Sequence, residues 1–93
     1  MIFSIIVPVF NEEKTILTIL NQLKDINFQK FKKEIIVVND GSTDNTKNLL
    51  DKHKDLYDLL YSNEKNEGKG SAVRLGLKNS TGEYIVFQDS DLE

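Results

Sequence analysis

Four short apolar runs, separated by three stretches of helical character, leave this chain few folds to adopt. The first run, 2–9, is β-branched and nearly continuous, as in a strand buried on both faces. Asn11 follows as a candidate N-cap, with Glu12 and Glu13 placed for the positive end of a helix dipole. Ile16, Leu17, Leu20 and Leu23 recur at helical spacing and predict an amphipathic helix over 12–25. The connector 26–33 carries Phe28 and Phe31, expected to pack on the domain edge. A second strand is predicted over 34–39, and Asp40-Gly41-Ser42-Thr43-Asp44 reads as a turn followed by capping residues. A helix over 44–54 with Leu49 and Leu50 inward, a weaker strand over 58–62 and a polar loop over 63–70 come next. Ala72, Val73, Leu75 and Leu77 mark a third helix ending near 79–82, and 83–87 is a fourth strand.

The order βαβαβαβ calls for an α/β, Rossmann-like domain over 1–93, with a mainly parallel sheet, helices on both faces and right-handed crossovers. A chain of 93 residues holds one such domain and not two. Apolar residues at 39% and charged residues at 29% are ordinary globular usage, which argues against intrinsic disorder. The absence of cysteine excludes disulfide frameworks, zinc–thiolate sites and Cys nucleophiles, and a single histidine excludes a His-rich metal cluster. A net charge of −3 argues against a general nucleic-acid binder. The N-terminal run lacks a basic leader and is too short to span a bilayer, so the expected compartment is the cytoplasm. The chain stops at Asp89-Ser90-Asp91-Leu92-Glu93, directly after a strand, which suggests part of something longer. An uncovered sheet edge would offer a surface for pairing into a homodimer.

In an open parallel sheet, ligands bind beyond the carboxyl ends of the strands, where strand order reverses. The first strand delivers Pro8, Phe10, Asn11 and Glu12 to that end, the second Asn39, Asp40 and Gly41, the fourth Gln88, Asp89 and Asp91. With strand order 3-2-1-4, Glu12, Asp40, Asp89 and Asp91 rim one crevice. Four carboxylates around one cleft repel each other unless a cation sits among them. Hard oxygen ligands of this kind suit Mg²⁺ or Mn²⁺, which then accept phosphate oxygens.

Each piece also has a plainer reading. Asp40 to Thr43 serves equally as a tight turn and cap, and Glu12 as a first-turn charge. His53 reads as a solvated surface residue, and Tyr57 and Tyr61 as edge packing. Lys65, Lys69, Arg74 and Lys78 could form only a solvated face. Gly68-Lys69-Gly70-Ser71 hints at a phosphate cradle without the spacing of a P-loop. The turn after the first strand has no glycine, which excludes dinucleotide-binding and Walker-type domains, and no G-x-S-x-G nucleophile elbow is present.

Taken together and in order, four segments are far more specific. These are Ile6-Val7-Pro8-Val9-Phe10-Asn11-Glu12, Val37-Val38-Asn39-Asp40-Gly41-Ser42-Thr43-Asp44, Asn66-Glu67-Gly68-Lys69-Gly70-Ser71-Ala72-Val73-Arg74 and Gly82-Glu83-Tyr84-Ile85-Val86-Phe87-Gln88-Asp89-Ser90-Asp91. They resemble family 2 glycosyltransferases over essentially the whole chain. The Gly-Lys-Gly-x-Ala-x-Arg and Gln-Asp-x-Asp-Leu-Glu segments look most like the branch that loads sugars onto polyprenyl or dolichyl phosphate. The resemblance implies an inverting transferase that takes a sugar from a UDP- or GDP-type nucleotide donor, with Mg²⁺ or Mn²⁺, and passes it to a lipid-phosphate or glycan acceptor. It implies that Pro8, Phe10 and Glu12 contact the base and ribose, that Asp40 approaches one of them, and that Lys69 and Arg74 face the donor. It makes Asp89 and Asp91 the catalytic D-x-D pair that touches donor and metal, with Glu93 as a further metal ligand. Many members carry Tyr where this chain has Phe10, which keeps ring stacking and loses a hydroxyl contact.

The implied parent is an enzyme, in the cytoplasm or at the cytoplasmic face of a membrane, and the 93-residue chain alone is expected to turn over little. The alternative from another class is a non-catalytic nucleotide-sugar-binding module using the same cleft. A metal-dependent phosphatase is disfavoured, because its paired aspartates follow the first strand and here they follow the fourth.

Overall fold

The computed structural model describes residues 1–27 and 31–91. Its elements are β1 (Ile2–Val9), α1 (Ile16–Asp25), β2 (Lys32–Asp40), α2 (Thr46–Lys52), a 3-10 turn (Lys54–Leu56), β3 (Leu59–Asn63), α3 (Lys69–Lys78) and β4 (Tyr84–Phe87). The four strands form one sheet in the order β3-β2-β1-β4, and every pairing is parallel. The expected α/β architecture and the crevice-forming strand order are both present.

Side-chain alternation along the strands divides the core in two. Ile5, Val7 and Val9 of β1 and Ile35 and Val37 of β2 face α1 and α2, where Ile16, Ile19, Leu20, Leu23 and Leu50 close the larger layer. Ile36 and Val38 face the other way, against Ala72 of α3, with Leu59, Tyr61 and Leu75 packed around them. Gly76 lets α3 settle onto β1, since a Cβ there would lie 2.5 Å from Cγ2 of the buried Ile6. At the far end of the sheet the Ser4 hydroxyl donates to Glu34 (2.8 Å) and accepts from the Gly82 N–H (2.8 Å). Glu34 also takes the Thr81 hydroxyl (2.8 Å), so the lead into β4 is fastened by polar groups. Phe31 packs edge-on against Phe3 at 4.7 Å, as expected for the connector; Phe28 lies outside the described residues.

Several boundaries differ from the sequence reading. The first helix starts at Ile16, four residues later than expected, and Asn11 does not cap it. Asn11 adopts φ 51° and its side-chain oxygen accepts from the N–H groups of Thr43 (2.7 Å) and Asp44 (3.2 Å) instead. Asparagine tolerates this left-handed geometry better than most residues. The second helix is shorter than 44–54, because the chain tightens at His53, whose N–H donates to Leu50, and continues as the 3-10 turn that buries Leu56. His53 is half-buried at that junction rather than fully solvated. Asn63 is the last residue of β3, and α3 begins at Lys69, so the loop between them is only 64–68. Leu77 stays exposed on α3.

Candidate functional site

Pairing between β1 and β4 ends at Ile6 and Phe87, two residues before Pro8, which has no N–H to give a neighbour. Beyond that rung the chains part, and a cleft of about 320 Å³ opens over the carboxyl ends of the strands. Pro8 and Ala72 supply buried apolar lining, and Phe10, 42% exposed, stands at the rim. Glu12, Asp40, Lys69, Asp89 and Asp91 contribute the charged lining. Seven of the nine residues singled out from sequence thus share one cleft. Arg74 does not line it; it is exposed on α3, with its guanidinium over Gly70. Glu93 lies outside the described residues.

The four carboxylates are not equivalent. Asp40, 3% exposed, ends β2 and is consumed by the protein itself. Its Oδ1 accepts from the Asn63 side-chain amide and the Glu67 N–H, and its Oδ2 from the Gly68 N–H, each at 2.9 Å. Those bonds draw the 64–68 loop over the end of β2. Gly41 completes the closure, because at φ 72° a Cβ there would lie 2.3 Å from the Lys65 carbonyl carbon. Asp40 therefore both lines the cleft and latches the segment that delivers Lys69. Glu12 lies 3.3 Å from the Thr15 hydroxyl, which donates at 2.7 Å to the Ser90 carbonyl and so ties the 89–91 segment to α1.

Asp89 and Asp91 are the acids left facing the opening, and Lys69 answers them. Its ammonium donates to Asp89 Oδ1 at 2.5 Å. That hydrogen bond, the Asp89 charge and the Asp91 charge hold the Lys69 amine above its ordinary range. The cation that the sequence required among these acids is thus, in part, a side chain of this protein.

Among the described residues no cluster of three His, Cys, Asp or Glu side chains is arranged to hold a metal ion. An exposed aspartate, Asp89, and a half-buried one, Asp91, separated by one residue and both lining the cleft, fit a divalent cation that takes its other ligands from phosphate and water, as Mg²⁺ and Mn²⁺ commonly do.

What sequence reasoning missed is the role of Asn11, which joins two loops rather than capping a helix. Besides its two accepted bonds it donates through Nδ2 to the Thr43 hydroxyl (3.3 Å), and its N–H donates to Ser42 Oγ (3.0 Å). Alongside, the Glu13 carboxylate accepts the Asn45 N–H (3.1 Å) and the Glu13 N–H donates to the Asp44 carboxylate (3.4 Å). The loops after β1 and β2 are therefore one welded unit, with Phe10 and Glu12 on either side of the weld. The signal available was an asparagine directly after a strand, which serves a left-handed turn as well as a helix cap. Burial raises the Asp44 carboxyl, but hydrogen bonds from the Thr46 side chain, the Thr46 N–H and the Glu13 N–H outweigh it and hold Asp44 below the usual range.

Residues 4–93 match the family model for glycosyl transferase family 2. The chain is 41% identical over 93 residues to poly(ribitol-phosphate) beta-N-acetylglucosaminyltransferase TarS of Staphylococcus aureus, covering 98% of this chain and 16% of that protein. Superposition on the crystal structure of S. aureus TarS 1–349 in complex with UDP-GlcNAc gives a TM-score of 0.82 at 39% identity, covering 98% of this chain and 27% of that one. A mannosyltransferase from Pyrobaculum calidifontis in complex with GDP-Man and Mn²⁺ gives 0.80 at 31% identity, covering 96% of this chain and 27% of that one. The chain thus spans about a sixth of the curated relative and roughly a quarter of these solved chains. The match runs through every strand of the sheet and through all the cleft-lining segments, and the chain belongs to glycosyl transferase family 2.

Proposed function

We propose that these residues form the donor-binding part of an enzyme that moves a sugar from a nucleoside diphosphate to a glycan or lipid-phosphate acceptor, a polyprenyl phosphate being one such acceptor. The observation that carries the reading is the gathering of Pro8, Phe10, Glu12, Asp40, Lys69, Asp89 and Asp91 in one cleft at the carboxyl edge of a parallel sheet. Similarity to transferases solved with UDP-GlcNAc and with GDP-Man supports a nucleotide-sugar ligand. On this reading the Phe10 ring stacks on the base, Glu12 and Asp40 border the base and ribose, and Lys69, with Arg74 behind it, faces the diphosphate. Asp89 and Asp91, joined by Glu93, would hold Mg²⁺ or Mn²⁺, which when bound neutralises negative charge on the departing diphosphate. Without positive charge between them, the same aspartates would repel that leaving group.

Transfer breaks the bond between the anomeric carbon and the diphosphate oxygen while the acceptor oxygen bonds on the opposite face. A lipid phosphate arrives already ionised and needs no strong base, whereas a hydroxyl acceptor does. Asp40 is committed to three hydrogen bonds within the fold and is unsuited to that task. The base and the acceptor side belong, on this proposal, to other parts of a protein of its relatives' length. That protein acts in the cytoplasm or at the cytoplasmic face of a membrane; among the described residues no helix is long and apolar enough to cross one.

Titration calorimetry with UDP and with GDP, each with Mn²⁺ and with EDTA, tests the proposal. The expected result is binding of one nucleotide that depends on the metal and is lost in Asp91→Ala. Equal affinity of Asp91→Ala and wild type would overturn it.

A further inference from the structure

We propose that Lys69 is a movable counterion, which occupies Asp89 until a divalent cation takes that carboxylate and then turns to the phosphates of the donor. The inference rests on the nucleotide-sugar reading of the cleft and adds an exchange of partners to it.

Three observations carry it. Lys69 is the only Lys or Arg among the described residues lining the cleft, and its ammonium lies on Oδ1 of Asp89, one of the carboxylates this reading gives to the metal. An ammonium and a divalent cation repel each other and cannot both hold that oxygen closely. Secondly, the pair is easily parted, since the Lys69 and Asp89 side chains are 68% and 61% exposed. Ion pairs this wet are held weakly, and the long flexible stem of lysine lets the charge relocate without moving the backbone. Thirdly, the backbone is anchored where the side chain is free. Asp40 accepts the N–H groups of Glu67 and Gly68, immediately before Lys69 opens α3. A swing of the amine away from Asp89 therefore leaves it over the same cleft, facing whatever anion the cleft holds.

The exchange has two consequences with opposite signs. Removing Lys69 frees Asp89 and should strengthen binding of Mn²⁺ alone. The same change should weaken binding of the nucleotide once Mn²⁺ is present. A merely structural lysine would produce neither, and a general loss of positive charge would produce the first at any position nearby.

The test measures free Mn²⁺ by electron paramagnetic resonance, without nucleotide, in wild type, Lys69→Met and Lys78→Met at 0.15 M salt. Lys78 is at the other end of the same ten-residue helix, beyond the screening length of about 8 Å. Lys69→Met should bind Mn²⁺ about two- to fivefold tighter, and Lys78→Met should match wild type. With saturating Mn²⁺, Lys69→Met should bind UDP or GDP, whichever the wild type takes, about tenfold more weakly. Circular dichroism checks that both variants are folded, as their exposed positions lead one to expect.

Unchanged or weaker Mn²⁺ binding by Lys69→Met overturns the proposal, and so does an equal gain in Lys78→Met. A gain in Mn²⁺ affinity with no loss of nucleotide affinity overturns the hand-over to phosphate. A wild type that retains no Mn²⁺ even with saturating UDP or GDP removes the metal reading itself, and the exchange with it.

Discussion

Replacing Asp40 with asparagine changes one oxygen to an amide nitrogen, in a buried position, and its cost follows from the geometry. The carboxylate accepts three hydrogen bonds, two on Oδ1 and one on Oδ2. In its better orientation the asparagine keeps its oxygen toward Asn63 and Glu67 and turns its amine toward the Gly68 N–H, donor against donor. At least one charge-assisted bond is lost, worth about 1.5–3 kcal/mol. A domain of this size holds about 5–15 kcal/mol in all, so the loss is a large share. At about 4–8 °C per kcal/mol, the melting midpoint should fall by roughly 6–24 °C. Thermal circular dichroism reads that shift. Amide hydrogen exchange locates it, because the Glu67 and Gly68 amides should exchange much faster while those inside β1 and β2 keep the protection that the remaining global stability allows. A midpoint within about 2 °C of wild type, with Gly68 exchange unchanged, would refute the latch.

Gly41→Ala sets a Cβ 2.3 Å from backbone and forces an L-residue to φ 72°, a conformation that alone costs about 1–3 kcal/mol; it should lack the dispersed amide spectrum of a folded domain, and a wild-type spectrum would contradict the close approach. Asn11→Gly keeps access to φ 51° and loses the side-chain bonds, whereas Asn11→Ala also bears left-handed strain. The alanine variant should therefore be the less stable of the two by about 1 kcal/mol in urea unfolding, and the reverse order would show that no such strain exists. Asp44 is held below its ordinary value, so its contribution to stability is present above about pH 4 and is lost as pH falls through the lower folded value. Melting of Asp44→Asn should accordingly fall less steeply than wild type below pH 4, and parallel curves would remove Asp44 from the acid response.

How far the site could be read in advance is clearest at Asp40 and Asn11. Sequence brought both to the carboxyl edge of the sheet, because each follows a β-branched run that can only be a buried strand. It could not show that Asp40 spends its oxygens on the loop 64–68, since those partners are 23 to 28 residues away along the chain. Asn11 offers a cap and a left-handed turn equally well, and its choice was made by Thr43 and Asp44, more than thirty residues on. Helix ends slipped for the same reason at Ile16, where the residues expected to open α1 are held instead by the neighbouring loop.

What the sequence alone determined is therefore the alternation of elements, the parallel sheet and the list of polar residues at its carboxyl end. Periodicity is a local property, and right-handed crossovers leave few ways to arrange four strands. Which of those polar groups stay available to a ligand was decided only by the tertiary structure. The Asp40 carboxylate is satisfied within the fold, Asp89 is shared with Lys69, and Asp91 remains at the opening. A hydrogen bond engages the group that folding brings within 3 Å, and sequence distance sets no limit on which group that is.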